Sequence, residues 1–116
     1  MSIETQVFTA LKTLVTNRCY PVMAPEGTAL PYIVYQRASA QRENTLDHSV
    51  RLSNAQIAVD YYAVSRDAAR TLADLGMTAM SASSLANDLV DDSELYDPET
   101  RVYFISATYS CWETET

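Results

Sequence analysis

The chain has 116 residues, enough for one domain and too few for two of ordinary size. Hydrophobic residues make up 47% and charged residues 20%, with two glycines and four prolines, which excludes a disordered, collagen-like or low-complexity chain. No apolar run approaches the roughly 20 residues of a membrane span, and the N-terminus lacks the pattern of a signal peptide. We therefore expect one soluble domain over residues 1–116, made and kept in a cytoplasm.

The net charge of -7 is concentrated in the second half of the chain. Residues 1–70 carry seven basic and six acidic side chains, whereas residues 71–116 carry one basic and nine acidic ones. An acidic surface repels phosphate backbones and anionic lipids, so sequence-specific nucleic-acid binding and a membrane partner are disfavoured. Such a surface could attract a basic protein partner, although solubility alone accounts for most of the charge.

The first half of the chain predicts a helix followed by strands. Apolar residues recur at helical spacing over residues 3–16, which predicts an amphipathic helix capped by Ser2. A short extended piece over residues 19–23 and a turn follow, and the β-branched and aromatic run that opens at Pro31 predicts a strand. Residues 38–53 fit neither period, so we expect a long exposed connection between two antiparallel strands, or a hairpin arm.

The second half predicts a strand and a second helix. Strict alternation of apolar residues over residues 54–62 predicts a half-buried strand. Ser65 is suited to cap the next helix, and we place Leu75 on its apolar face. Gly76 interrupts that face, which indicates a close packing contact.

The C-terminal third predicts a loop and a last strand. Residues 81–99 are rich in serine and then acidic, which is typical of an exposed loop. Residues 100–112 carry apolar groups on both faces, as in a central strand or one whose outer face meets a partner. The order predicts an α+β fold, with a mostly antiparallel β-sheet of about four strands, two helices packed on one face and a long inter-strand loop.

The sequence offers no catalytic or metal-binding constellation. Cys19, Cys111 and the single histidine, His48, are too few for a zinc site, and we expect the cysteines to be small buried hydrophobes. Asp60 is the one acid inside a strong strand pattern, whereas glycoside hydrolysis needs a pair. The acidic run from Asp88 lacks the glycine of a calcium-binding loop, and two glycines are too few for a phosphate-binding loop. We therefore predict that the chain is not an enzyme and needs no cofactor or metal.

Several segments match a known family in their order along the chain and in their residues. They are PYIVYQ at 31–36, NTLD at 44–47, the pattern I-x-V-D-x-Y-A at 57–63 and Y-S-x-W at 109–112. In these pieces, and over nearly the whole chain, the sequence resembles the tail completion proteins of long-tailed bacteriophages, also called tail terminators or head–tail joining proteins. The family motif often has glycine after NTLD, where this chain has His48.

The resemblance implies a structural virion protein rather than an enzyme. Such proteins are α+β domains that assemble into a ring, commonly a hexamer, which caps the tail tube and docks it to the connector of the head. The implied partners are further copies of the chain, the tail tube protein and the head–tail connector protein. The implied place is the head-proximal end of the tail, after assembly in the cytoplasm of a bacterial host.

The resemblance also suggests which residues make contacts. The segment around NTLD would reach a neighbouring subunit, and Leu46 suits either a neighbour's pocket or a local contact under the loop. The acidic run would line a lumen or meet a partner, because like charge keeps DNA from sticking. The candidates for the oligomer or partner interface are Asn44, Thr45, Leu46, Asp47 and His48, and those for the acidic surface are Asp88, Asp91, Asp92 and Glu94.

Two other interpretations stay open. The chain could be another head–tail connector adaptor or a minor tail subunit of the same machine, which gene order would separate from a completion protein. It could also be a small acidic cytoplasmic adaptor that binds a basic protein through residues 88–99. Salt-sensitive binding to a host protein, without a ring, would favour that interpretation.

Overall fold

The computed structural model describes residues 3–44, 51–83, 85–99 and 101–115, with side chains described for 3–38, 54–83, 85–99 and 101–112. Two α-helices, a short 3-10 helix and five strands make up this part of the chain. They are α1 (Ile3–Leu11), the 3-10 helix (Lys12–Val15), β1 (Cys19–Pro21), β2 (Tyr32–Asn44), β3 (Arg51–Ala63), α2 (Arg66–Ala82), β4 (Ala86–Asp97) and β5 (Val102–Glu115).

The strands form one mixed sheet in the order β1-β2-β3-β5-β4. The pairs β2–β3, β3–β5 and β5–β4 are antiparallel, and only the three-residue β1 runs parallel to its neighbour β2. The α+β class and the two helices are confirmed. The expectation of about four strands is slightly off, because it omitted β4.

Helix α1 forms where the 3–16 periodicity predicted it. Ile3, Val7 and Leu11 are fully buried at helical spacing, and Val15 continues this stripe through the 3-10 turn. Thr16, with a left-handed backbone at φ 52°, ends the helix. The predicted cap Ser2 lies outside the described residues.

Helix α2 begins at the predicted cap, and its glycine has a packing reason. The Ser65 hydroxyl accepts a hydrogen bond from the Ala68 N–H at 3.1 Å. A Cβ atom at Gly76 would overlap with the buried ring of Tyr61, so glycine lets α2 approach β3 closely. The prediction that Leu75 lies on the apolar face of this helix is wrong, because its side chain is 50% exposed.

The prediction of a long loop is wrong over residues 38–44 and 51–53, which form the paired strands of the hairpin-arm alternative, and residues 45–50 lie outside the described residues. Strands β2 and β3 stay paired as far as Asn44 and Arg51, and β5 accompanies β3 as far as Glu115. The described residues therefore extend over 52 × 24 × 23 Å. Strand prediction depends on the alternation of buried and exposed side chains. Among the described side chains of β3, this alternation begins only at Ala55, so the sequence pattern did not predict the arm.

The prediction of a loop over residues 81–99 is also wrong. Residues Ala86–Asp97 form the edge strand β4, which pairs with β5 and shifts register between Leu89 and Asp91. Every residue of β4 is exposed or half-buried. An edge strand without a buried face shows no period-2 pattern, so acidic composition suggested a loop instead.

The core lies between the two helices and one face of the sheet. Alternate residues of β2, β3 and β5 are buried there, among them the expected Ala55, Ile57, Val59 and Tyr61. The hydroxyls of Tyr61 and Tyr109 form a buried hydrogen bond at 2.9 Å. Cys19 and Cys111 are buried free thiols, and burial raises the pKa of Cys19 to about 12 and that of Cys111 to about 11.

Candidate assembly surfaces

The sheet face opposite the helices carries a row of stacked aromatic rings. Tyr32 of β2 lies opposite Tyr62 of β3, which lies opposite Phe104 of β5. The ring centroids are 4.7 Å apart in both pairs, with interplanar angles of 18° and 19°. We call these three residues the aromatic row. Each ring remains partly exposed, because neither helix covers this face of the sheet.

Apolar side chains extend the aromatic row on both sides. Leu95 of β4 pairs with Phe104 and is 45% exposed. At the other side, Val22 and Met23 follow β1 and border a depression that Tyr32 also lines. Their exposed fractions are 67% and 77%. A continuous exposed apolar strip of this kind is typical of a surface that contacts another protein.

The carboxylate of Asp60 lies beside the aromatic row. It is placed between Val34 of β2 and Ser106 of β5 and accepts a hydrogen bond from Ser106. Burial raises the pKa of Asp60, and the Ser106 hydrogen bond partly opposes that shift. The pKa of Tyr62 rises to about 12 through burial and the nearby charge of Asp60, so its phenol stays protonated at neutral pH.

The acidic residues of β4 divide between the two faces of the sheet. Asp92 and Glu94 lie on the helix side, where Arg70 of α2 reaches Asp92 at 3.0 Å and Glu94 at 3.3 Å. Arg66 contacts Glu94 at 2.8 Å. The hydrogen bond from Arg66, followed by that from Arg70, lowers the pKa of Glu94. These pairs attach the edge strand to α2.

Asp88 and Asp91 lie on the opposite face from that network. They pair in register with Ser110 and Thr108 of β5, on the side that bears the aromatic row. Both are exposed, and neither forms an ion pair with any residue in the described part of the chain. The structure thus separates the four acidic candidates into two that are paired within the chain and two that face outward.

The interface candidates of the NTLD motif are placed only in part. Asn44 ends β2 and pairs in register with Arg51. Thr45, Leu46, Asp47 and His48 lie outside the described residues. Their role in contacts between subunits therefore remains a prediction.

The aromatic row is the feature that sequence reasoning missed. The apolar outer face of β5 gave a signal, since it indicated a central strand or contact with a partner. The stacking itself depends on the register of three strands, which one sequence does not reveal. Among the described residues, no group of three potential metal ligands occurs, and no helix is long and apolar enough to span a membrane.

Among the described residues, one sheet face bears exposed apolar side chains and the edge strand β4 has a neighbour on one side only, which is typical of a protein that assembles with others. A family model described as "Tail completion protein gp17" matches residues 6–114. Because this match covers nearly the whole chain, the protein belongs to that family of phage tail structural proteins, as the resemblance in the sequence indicated.

The fold is also similar to that of a chain in a solved structure described as the virion of a native gene transfer agent (GTA) particle. The TM-score is 0.63, with 12% identity, and the alignment covers 98% of this chain and 96% of that one. At this identity the likeness concerns the fold alone. No curated protein sequence matches the chain.

Proposed function

We propose that the protein forms a ring, of six copies, that caps the phage tail tube at full length and joins it to the head connector. The observation that carries this proposal is the match of residues 6–114 to the tail completion family. The fold shared with a chain of the gene transfer agent virion supports a place in the virion. In this role the protein is a structural component rather than an enzyme.

The exposed surfaces support an assembly role. A ring subunit needs one patch for each neighbour and further patches for the tube and the connector. The apolar strip around Tyr32, Tyr62 and Phe104 would become buried against one of these partners. Asp88 and Asp91 would face the lumen or a partner, where like charge would keep passing DNA from binding.

Gold-labelled protein added to tail tubes that lack it, and separately to DNA-filled heads, tests this proposal by electron microscopy. We expect one ring at the end of each tube that joins the head, and restored joining when heads are added. Labels along the tube or at its other end would indicate a minor tail subunit. Labels on heads alone would indicate a connector adaptor, and labels on neither would overturn the phage role.

The NTLD segment gives a second test within the same assay. If Leu46 inserts into a neighbour, Leu46→Ser should weaken ring formation several-fold, because a hydroxymethyl group buries less apolar surface. Leu46→Met is the matched control, since it keeps the apolar volume. A Leu46→Ser protein that forms rings as readily as wild type would remove this residue from the interface.

A further inference from the structure

The sheet face opposite the helices, which we call the open face, contains a depression that combines a carboxylate with aromatic and apolar side chains. We call it the Asp60 depression, and its lining residues are Val22, Met23, Ala24, Tyr32, Val34, Asp60 and Tyr62. Its volume is about 270 Å³. Pockets that enclose drug-sized ligands hold roughly 300–1,000 Å³. The Asp60 depression therefore suits a single side chain of another protein rather than a small molecule.

Within the described part of the chain, no basic side chain forms an ion pair with Asp60. Among the described side chains of β2, β3, β4 and β5, none on the open face is basic, and Arg37 of β2 lies on the helix side. Arg18, which precedes β1, donates to the Pro31 carbonyl oxygen at 3.0 Å. Asp60 accepts its side-chain hydrogen bond from the neutral Ser106 hydroxyl. Its charge therefore has no basic partner among the described residues.

The groups that line the depression match the chemistry of an arginine side chain. A guanidinium donates charge-assisted hydrogen bonds to a carboxylate, and its planar shape also stacks on aromatic rings such as those of Tyr32 and Tyr62. The apolar lining residues suit the methylene stem that carries the guanidinium. Burial raises the pKa of Asp60, and a bound cation would oppose that shift by favouring the charged carboxylate.

A second copy of the chain is a poor source of this arginine. Two open faces packed together would bring like charges near each other. Arg101 lies in the turn between β4 and β5, at the same end of the sheet as the aromatic row, so contact through it would join the same ends of two copies, which gives a pair rather than a ring. The other described basic side chains already contact groups of their own chain; they are Lys12, Arg18, Arg37, Arg66 and Arg70.

We propose that the Asp60 depression holds an arginine side chain of a different protein, with the guanidinium bound to the Asp60 carboxylate and packed on a ring of the aromatic row. The inference rests on the proposed function, which supplies the tail tube and the head connector as the partners. It places the open face against one of them rather than along the path of the DNA. Asp60 would repel phosphate groups, and exposed apolar side chains are typical of a protein contact.

Binding of arginine itself tests the depression without any phage component. The probes are N-acetyl-arginine amide and N-acetyl-citrulline amide, which differ in charge but little in shape. In NMR spectra of the full chain, the arginine probe should shift the backbone amide signals of Asp60, Tyr62 and Ser106, whereas the citrulline probe should not. Asp60→Asn should abolish these shifts. Glu99→Gln is the matched control, because it removes one negative charge from the exposed turn between β4 and β5 and should keep them.

Two results of the NMR titration would overturn the arginine site. One is an arginine probe that leaves the three signals of the wild-type protein unchanged. The other is a shift of the same size in Asp60→Asn. Circular dichroism and the melting temperature establish that each variant is folded, and only folded variants are compared.

Binding of labelled protein to tail tubes and to DNA-filled heads, both lacking it, identifies the partner. Asp60→Asn should bind one of these two roughly tenfold more weakly than wild type or worse, as expected when a charge pair at an interface loses one member. Glu99→Gln should bind both like wild type. Equal binding of Asp60→Asn and wild type to tubes and to heads would overturn the proposal. Weaker self-association of Asp60→Asn, measured by native mass spectrometry, would make a second copy the occupant and overturn the choice of partner.

The two experiments keep this inference separate from the proposed function. Wild-type protein that binds neither tubes nor heads would overturn the proposed function, whereas shifts of the Asp60 signal by the arginine probe would still support a site for arginine in the depression. Wild-type and Asp60→Asn proteins that form rings and join heads to tubes equally well would overturn the arginine contact and leave the proposed function standing.

Discussion

At the scale of single residues, Gly76 determines how closely α2 approaches the sheet. Its Cα lies against the ring of Tyr61, whose hydroxyl is held by Tyr109. Because that ring is fully buried, it cannot move aside without disturbing the core. The sequence alone indicated this contact, since glycine inside a helical pattern is unfavourable unless packing requires it.

We expect Gly76→Ala to destabilise the protein. Alanine gains about 1 kcal/mol of helix propensity, but overpacking in a close-packed core costs about 1–3 kcal/mol. The net loss should appear as a lower denaturation midpoint in urea. Ser81→Ala, at an exposed position of the same helix, is the control and should be neutral or slightly stabilising. A Gly76→Ala protein as stable as the control would show that the packing between α2 and Tyr61 can accommodate a Cβ atom at this position.

The partly buried carboxyl group of Asp60 should make the stability of the protein depend on pH. Its pKa is raised in the folded state, so the folded protein favours the neutral carboxyl group and loses stability as the pH rises through that pKa. Asp60→Asn removes the charge and keeps an oxygen that accepts from Ser106. The variant should melt at a higher temperature than wild type at pH 7.

The difference should shrink below pH 3.8, the ordinary pKa of an aspartate, where both proteins carry a neutral group at this position. Asp88→Asn is the matched control, because Asp88 also lies opposite a serine of β5 on this face but is exposed. Equal effects of the two substitutions would show that burial beside the aromatic row is not the cause.

At the scale of elements, ion pairs with α2 hold the edge strand β4. Arg70→Gln removes the contacts to Asp92 and Glu94 while leaving the helix intact. Exposed ion pairs contribute little to global stability, so the melting temperature should change little. The backbone amides of β4 should nevertheless exchange faster with deuterium, because local opening of an edge depends on such contacts.

This effect should depend on pH in a defined direction. The lowered pKa of Glu94 means that its contribution is present above the ordinary glutamate value of 4.5 and is lost as the pH falls through the lower folded value. The two proteins should therefore converge in acid. Asp74→Asn, which removes only a 3.9 Å contact to Arg70, is the control and should leave exchange in β4 unchanged.

Elements with a buried face could be predicted from the sequence, and elements without one could not. Helix α2 and the inner part of β3 show clear apolar periodicity because one side of each meets the core. Strand β4 and the outer parts of β2 and β3 lack that pattern, so they were interpreted as loops. The acidic candidates were found by composition, but their division between two faces follows from the register of β4.

At the scale of the whole molecule, the subunit has several surfaces left for partners. The helices cover one face of the sheet, whereas the other face keeps the apolar strip around Tyr62. The acidic strand β4 forms one edge of the sheet, and the short strand β1 lies at the other. Because the protein belongs to the tail completion family, the partners proposed for these surfaces are neighbouring copies, the tail tube and the head connector.

Deletion of the gene for this protein from the phage or prophage that encodes it, followed by negative-stain electron microscopy of the particles, tests the proposed capping function directly. A capping ring predicts DNA-filled heads separate from tails of uneven length, and a plasmid copy of the wild-type gene should restore joined particles. Normal joined particles, with tails of uniform length, in the absence of the gene would contradict the proposed function.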